Sequence, residues 1–488
     1  MKFFNDMTPD LWQQCRNLLC LLPVFVALLG CERSAIDEAD HRHPNIVVIL
    51  ADDLGYGDIG VYNAESKIPT PSLDNLAQAG LRFTDAHSPS SVCTPSRYGL
   101  LTGRYAWRSR LKRGVLQGYD PSLIEPDRAT VASLLRDRGY ATAAIGKWHL
   151  GLGDEHPTNY DQPLSSGPLT AGFDYFFGIP ASLDMAPFVY IENDRVVEGA
   201  TNQIEEGVHR RNGGDGYWQA GAIAPGFDHT EVMPRLIEKS VEYIAQQADR
   251  AQPFFLYIPL TAPHKPWLPT DEFVGVSEAG FYGDFVAQVD ASVQQILDAL
   301  NDANLVEDTL VIVTSDNGSR WEPFEIDEFR HMANGPLRGQ KTEIYEGGHR
   351  VPLIAAWPGR IPEGTTTDAL VSLTDIYATF AELTGSAPPL GEAEDSISFL
   401  RTLLGSEDSF NRTSMILHSS KGVFAVREGR WKWIETAGHG GYGWTRIEDV
   451  AGQVYDLDVD LAESKDLINE RLDIESRMRL SLEEEQSR

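Results

Sequence analysis

Four short, largely apolar runs punctuate the first two thirds of the chain: 46–50 (Ile-Val-Val-Ile-Leu), 141–145, 254–258 and 310–314. Such runs are the makeup of strands buried on both faces of a parallel sheet. Between them the apolar period lengthens to three or four residues. Thr70-Pro71-Ser72 opens a helix with Leu73, Leu76 and Ala77 on one face and Gly80 as its stop. Thr130 caps a second helix through Leu134 and Leu135 that Gly139 ends, and a third runs from Asp284 with Phe285, Val289, Val293, Ile296 and Leu300 aligned. Each apolar run leads into a polar cluster: Asp52-Asp53, Lys147-Trp148-His149, Thr261-Ala262-Pro263-His264 and Ser315-Asp316-Asn317. This grammar predicts an α/β fold, a large mixed, mostly parallel sheet flanked by helices, with its site at the carboxyl ends of the strands.

Residues 155–230 are rich in Gly, Pro, Asn and aromatics with weak periodicity, which predicts long surface insertions able to shape a pocket. Composition shifts near Gly405. Beyond it, 415–418, 423–427, 431–435 and 454–457 have strand-like makeup with turns between, predicting a smaller C-terminal antiparallel sheet plus a charged helix. A chain of 488 residues suits a large domain plus a small one, here 45–405 and an α+β subdomain 406–488. At the other end, Lys2 and Arg16 precede an apolar run, 18–29, too short to span a bilayer, so 1–30 read as an export signal and 31–44 as a polar tether. Leu28-Leu29-Gly30-Cys31 resembles a bacterial lipobox, which implies a lipid on Cys31 and membrane contact only through it; an ordinary cleaved signal is the alternative.

Charge changes the picture of the partners. The formal net charge of −31 argues against nucleic acid, whose phosphates need clustered Lys and Arg. An anionic substrate would need a local basic patch, for which Arg104, Arg108, Arg110, Lys112 and Arg113 are candidates. Cysteine use is equally pointed: with Cys15 and Cys20 in the signal and Cys31 at the lipid site, only Cys93 remains. An exported protein with one cysteine in its body has no intrachain disulfide framework, so that residue reads as reactive.

Cys93 opens the stretch Cys-Thr-Pro-Ser-Arg-Tyr-Gly-Leu-Leu-Thr-Gly, with Pro95 at a first helical position. A helix mouth offers free N–H groups and a positive dipole end to an anion. Two other readings of Cys93 are a buried inert thiol and a thiolate nucleophile of the phosphatase type assisted by Arg97. Asp52, Asp53, Asp316 and Asn317 add hard oxygen donors after two strands that are potential neighbours, which favours Ca²⁺ or Mg²⁺ over zinc.

Cys-x-Pro-Ser-Arg followed by Leu-Thr-Gly resembles the maturation signature of the type I sulfatases, members of the alkaline phosphatase superfamily. The resemblance implies that a formylglycine-generating enzyme oxidises Cys93, that Ca²⁺ is held by Asp52, Asp53, Asp316, Asn317 and the oxidised Cys93, and that 45–405 is the catalytic domain. It further implies catalytic roles for Cys93, Arg97, Lys147, His149, His264 and Lys341, the last in Gly339-Gln340-Lys341-Thr342. On that pattern a hydrated formylglycine attacks sulfur, Lys341 and His264 assist the departing alcohol, and His149 deprotonates the second hydroxyl, which expels sulfate. The expected activity is hydrolysis of sulfate monoesters, on sulfated carbohydrates, by an exported and lipid-anchored enzyme of the periplasm or cell surface. Aryl sulfates, phosphonates or phosphodiesters are alternative substrates, as is a sulfated-glycan binder whose Cys93 stays unmodified.

Overall fold

A computed structural model describes residues 43–406, 412–445 and 451–488. Cys15, Cys20, Cys31, the signal and all but the end of the tether lie outside the described residues, as do the positions just after the expected boundary at 406. Pro44–Arg488 is one compact unit. Its strands are β1 (Asn45–Asp52), β2 (Leu81–Phe83), β3 (Ala141–Lys147), β4 (Tyr175–Ile179), β5 (Ile191–Glu192), β6 (Arg195–Val196), β7 (Phe254–Pro263), β8 (Thr309–Ser315), β9 (Leu353–Ala356) and β10 (Thr365–Thr367). Among the described residues they form one sheet in the order β10-β2-β9-β8-β1-β7-β3-β4-β5-β6. The four apolar runs are its centre. β1 lies between β7 and β8, parallel to both, with Ile46 opposite Phe255 on one side and Leu310 on the other. All eight residues of β1 are buried, and each of its Val, Ile and Leu side chains contributes roughly 1.5–3 kcal/mol of apolar burial.

Helices α1 (Pro71–Gln78), α2 (Cys93–Thr102), α3 (Val131–Asp137), α4 (Val232–Gln247) and α5 (Gly280–Asp302) fill the connections. They cover both faces, as the alternation of β7 shows: Phe254 meets Tyr243 of α4, whereas Phe255, pointing the other way, meets Phe380 of the helix Ile376–Leu383. α3 begins as the sequence predicts, with a capping box between Thr130 and Ser133. α1 does not use Thr70 as a cap; the Asp290 carboxylate of α5 accepts from Ser72 N and Leu73 N at 3.1 and 2.8 Å. α5 starts at Gly280, one turn before Asp284, because the Asp284 carboxylate folds back to accept from Gly275 N and Ser277 N.

The C-terminal segments form a four-stranded antiparallel sheet, β11 (Ser414–His418), β12 (Phe424–Glu428), β13 (Trp431–Ile434) and β14 (Gln453–Asp456), with the helix α6 (Leu472–Ser487) packed on it. Where this sheet meets the main one, a buried polar chain crosses the junction. Lys432 Nζ donates to His349 Nε2 at 3.0 Å, the two Nδ1 atoms of His349 and His87 face each other at 3.0 Å, and His87 Nε2 donates to Asp85 at 2.8 Å. Ile344 O also lies 3.1 Å from His349 Nε2, but Lys432 can only donate there, and one proton on each ring satisfies the chain from Lys432 to Asp85. Glu346 completes the junction by pairing with Lys432 and Arg350.

Candidate active site

β1 and β8 pair in parallel with Ala51 opposite Ser315, so the residues that follow them emerge side by side. Asp53 turns the chain through a left-handed backbone angle (φ 68°), a conformation Asp tolerates better than most residues. Asp53 N donates to Asp316 Oδ1 at 3.2 Å, and Asn317 Nδ2 donates to Asp53 Oδ1 at 2.7 Å. Cys93 is the first residue of α2, with extended Val92 before it, and its sulfur lies 3.5 Å from Asp52 Oδ1. One turn on, Arg97 donates Nε and Nη2 to Asp316 Oδ2 at 2.9 and 2.7 Å and Nη1 to Lys147 O at 2.9 Å. That side chain is fully buried and ties β8, β3 and α2 together.

The end of β3 supplies Lys147, whose Nζ meets Asp52 Oδ2 at 2.6 Å and Ser182 Oγ at 3.3 Å. Lys341 Nζ sits 2.7 Å from Asp53 Oδ1. His264, after β7, approaches Asp53 Oδ2 through Nε2 at 3.8 Å, while its Nδ1 faces Lys265 O and Ser182 Oγ. His149 is fixed at the opposite nitrogen: Nε2 donates to Leu116 O at 2.9 Å, which leaves Nδ1 as a lone pair without a partner among the described residues. An open cleft of about 880 Å³ is lined by Cys93, His149, His264 and Lys341. The structure therefore brings together every expected site residue: Asp52, Asp53, Cys93, Arg97, Lys147, His149, His264, Asp316, Asn317 and Lys341.

Electrostatics explain what such a cluster can do. Burial pushes Asp52 up to about 7, opposed by Lys147 and reinforced by Asp316. Burial also raises Asp316, but Arg97, Lys147 and Lys341 more than offset it and hold it below the usual carboxylate range. Burial, then Lys147 beside His149 and Lys341 beside His264, keep both rings well below the ordinary histidine range, so both are neutral bases at neutral pH. Burial opposes charge on Lys341 as well, yet Asp53 overrides it and keeps the ammonium charged. Burial pushes the Cys93 thiol far up, so an unmodified thiolate nucleophile is disfavoured.

The donor set suits a hard cation. Oxygens of Asp52 and Asp53, Cys93 Sγ and a His264 nitrogen lie within 4.8 Å of one another, and Asn317 Oδ1 is buried with no hydrogen-bond partner. A buried amide oxygen without a donor is free to ligate a hard cation. A second buried group, His87, Glu346 and His349, is already matched by Lys432 and Arg350 and has no such orphan.

The basic run does not line this cleft. Arg104 pairs with Glu125 and Glu394, Arg108 with Asp395 and Glu485, and both line a separate groove with Lys112. Those arginines fasten surface segments, and the cations nearest Cys93 are instead Lys341, which lines the cleft, and Lys147 and Arg97 behind it. Ser182, which joins Lys147 to His264, went unpredicted because nothing in the aperiodic stretch around it marks it out; only its burial in the fold does.

A family model described as Sulfatase matches residues 44–386. The chain is 32% identical to the N-acetylgalactosamine-6-O-sulfatase of Bacteroides thetaiotaomicron, over 94% of this chain and 96% of that one. It is 38% identical to human arylsulfatase A, over 80% and 74% of the two chains. A solved structure from work on glycosaminoglycan metabolism by Bacteroides thetaiotaomicron superposes with a TM-score of 0.82 at 31% identity, covering 91% of this chain and 99% of that one. A sulfatase from a Pseudoalteromonas species superposes at 0.72 with 28% identity, covering 91% and 90%. With the family match spanning most of the chain and the likeness extending to both sheets, this protein belongs to the sulfatase family and is a sulfuric ester hydrolase.

Proposed function

We propose that this sulfatase removes sulfate from a sulfated carbohydrate, using formylglycine made from Cys93 by a maturation enzyme and Ca²⁺ bound by Asp52, Asp53, Asp316, Asn317 and residue 93. The observation that carries the substrate class is the near full-length likeness to a relative named for N-acetylgalactosamine 6-O-sulfate. Calcium rests on the oxygen-rich donors and the orphaned Asn317 Oδ1. The cation would supply Lewis acidity and positive charge beside the reacting sulfuryl group. Hydrated, the aldehyde on residue 93 would supply two hydroxyls on one carbon, one to attack sulfur and one to release sulfate.

This chain's own residues do the remaining work. Three carboxylates, Asp52, Asp53 and Asp316, already face three cations, Arg97, Lys147 and Lys341, so the protein part of the site is balanced before substrate enters. Lys341 lines the cleft beside Cys93 and Lys147 lies behind it against Asp52, so both place positive charge near the sulfuryl and leaving oxygens. Arg97 holds Asp316 and the end of β3 in place. His149, its Nε2 committed to Leu116, presents Nδ1 to take a proton from a hydroxyl on residue 93. His264 lies against Asp53 on the leaving-group side of the cleft.

Export through 1–30, a lipid on Cys31, a periplasmic or surface location and the division into 45–405 and 406–488 belong to the same reading. Among the described residues no helix is long and apolar enough to cross a membrane. The deciding experiment measures sulfate release from a panel of sulfated oligosaccharides beside 4-nitrophenyl sulfate and a phosphate diester, on protein whose aldehyde content is known. Preference for the aryl ester or the diester would replace the carbohydrate reading, and no turnover by aldehyde-bearing protein would leave a glycan binder. Elemental analysis finding zinc, or full activity without metal, would remove calcium.

A further inference from the structure

Two polar atoms in the wall of the cleft lack any partner among the described residues and belong to neither the catalytic nor the metal set. Asp184 is 2% exposed; its Oδ2 is held by Lys265 Nζ at 3.2 Å, while Oδ1 is buried and unpaired. His209 accepts from Arg211 N through Nδ1 at 3.0 Å, so its proton sits on Nε2, which is likewise buried and unpaired. Burial lowers this ring to about 4, so it stays neutral and keeps that tautomer at neutral pH. Both residues line the cleft that holds Cys93. The ring of His209 stands edge-on to Trp267 at 4.9 Å, and Lys265 lies over Tyr217 at 4.0 Å, so the wall is rigid and partly aromatic.

A buried carboxylate oxygen and a buried N–H left unpaired each cost about 1–3 kcal/mol, a cost that a ligand offering the complementary group removes. One acceptor and one donor in the wall of the same cleft match a hydroxyl, which both gives and takes a hydrogen bond. We propose that Asp184 and His209 form a hydroxyl-binding subsite that reads the ring hydroxyl of a sugar nearest the sulfate ester. The chain keeps the subsite close to the reaction. Ser182 touches Lys147 and His264, Asp184 lies two residues further, and its partner Lys265 directly follows His264. Two residues span at most about 7 Å, the scale of one sugar ring. In a 6-sulfated hexose the hydroxyl in question is O4. An aryl sulfate has none to offer, so the subsite favours carbohydrate over aryl esters.

This inference rests on the carbohydrate reading, and the test separates the two. Aldehyde-bearing enzyme is given the methyl glycoside of N-acetylgalactosamine 6-sulfate and its 4-deoxy analogue, and kcat/KM is measured for both. A site built to hydrogen-bond a hydroxyl rejects the analogue lacking it, here by at least ~10²-fold. In Asp184→Leu and in His209→Phe the ratio is expected to fall to ~10-fold or less, chiefly by loss on the hydroxylated sugar. Because the readout is a ratio within one preparation, partial misfolding lowers both rates and leaves it unmoved. A wild-type ratio near one, or variants that keep the wild-type ratio, would overturn the subsite while leaving the sulfatase acting on sugars. No sulfate from either glycoside would overturn the carbohydrate reading and the subsite with it.

Discussion

Lys147 and Lys341 are each buried against a carboxylate, Asp52 and Asp53, and neither spends its charge on the protein surface. Groups placed to meet charge that develops during reaction act on the transition state more than on the bound substrate. Alanine at Lys147, His149, His264 or Lys341 is therefore expected to lower kcat by ~10²–10³-fold. Steady-state kinetics showing only a raised KM would move that residue to substrate binding. At residue 93 the expectation is qualitative. Mass spectrometry of the tryptic peptide 83–97 should show an aldehyde that reacts with a hydrazide. Cys93→Ser retains one hydroxyl where two are needed, so it should make at most one slow turnover and accumulate a sulfated serine. Sustained turnover by a confirmed serine variant would falsify the two-hydroxyl scheme. These residues were visible in the sequence because Asp52 and Lys147 end, and His264 and Asp316 directly follow, strands whose apolar runs announce them. Ser182, Asp184 and His209 were not, since their only mark is which atoms they meet after some 30 residues of aperiodic chain have folded over the sheet.

At the scale of elements, the same logic separates what could be read from what could not. β1, β3, β7 and β8 are buried on both faces and so carry long apolar runs, whereas β5, β6 and β10 have two or three residues each and no period to detect. α1 starts where the sequence places it, but its first N–H groups are capped by a carboxylate from elsewhere, Asp290 of α5, and not by Thr70. One constraint binds the element to the chemistry. A Cβ on Gly146 would lie 1.9 Å from Pro259 O, and one on Gly178 would lie 1.8 Å from Gly146 O, so β3, β4 and β7 close only around glycine. Gly146→Ala is expected to destabilise the fold by ~1–3 kcal/mol as an overpacking change and to displace Lys147, the next residue. Denaturant unfolding checks the first effect and kcat the second; a variant of wild-type stability and rate would show that the strands can part without cost.

Across the whole molecule, the buried chain Lys432–His349–His87–Asp85 links the two sheets and should tie stability to pH. Burial holds His87 and His349 below the ordinary histidine range, with Lys432 adding to the effect on His349, so both are neutral when folded. The unfolded chain binds those protons near pH 6.5, so stability falls as pH drops below that value, by up to ~1.4 kcal/mol per pH unit for each histidine. Burial disfavours the charged Glu346, but Lys432, His87 and His349 outweigh it and depress its carboxyl; its contribution is lost at lower pH, in the same direction. Thermal unfolding at pH 7.5, 6 and 5 should show a steadily falling Tm, and a flat profile would exclude the neutral pair. The architecture of a mostly parallel sheet with a small antiparallel one was readable from period and composition alone, but this junction was not, because its partners sit up to 347 positions apart (Asp85 and Lys432) and share no local pattern.

The depth of residue 93 carries a consequence for timing. Its side chain is 2% exposed at the floor of the cleft, with Asp52 against the sulfur and strands β1, β3 and β8 closed around it. A protein-sized oxidase has no approach to that atom once the sheet has zipped up. Yet Asp316 and Lys341, which complete the enclosure, are made more than 200 residues after Cys93. Between those two moments the cysteine is an accessible segment of nascent chain. On the proposed maturation of Cys93, the fraction of active enzyme is set by a race between oxidation and closure, and long-range strand pairing, which folds slowly, is what keeps the window open.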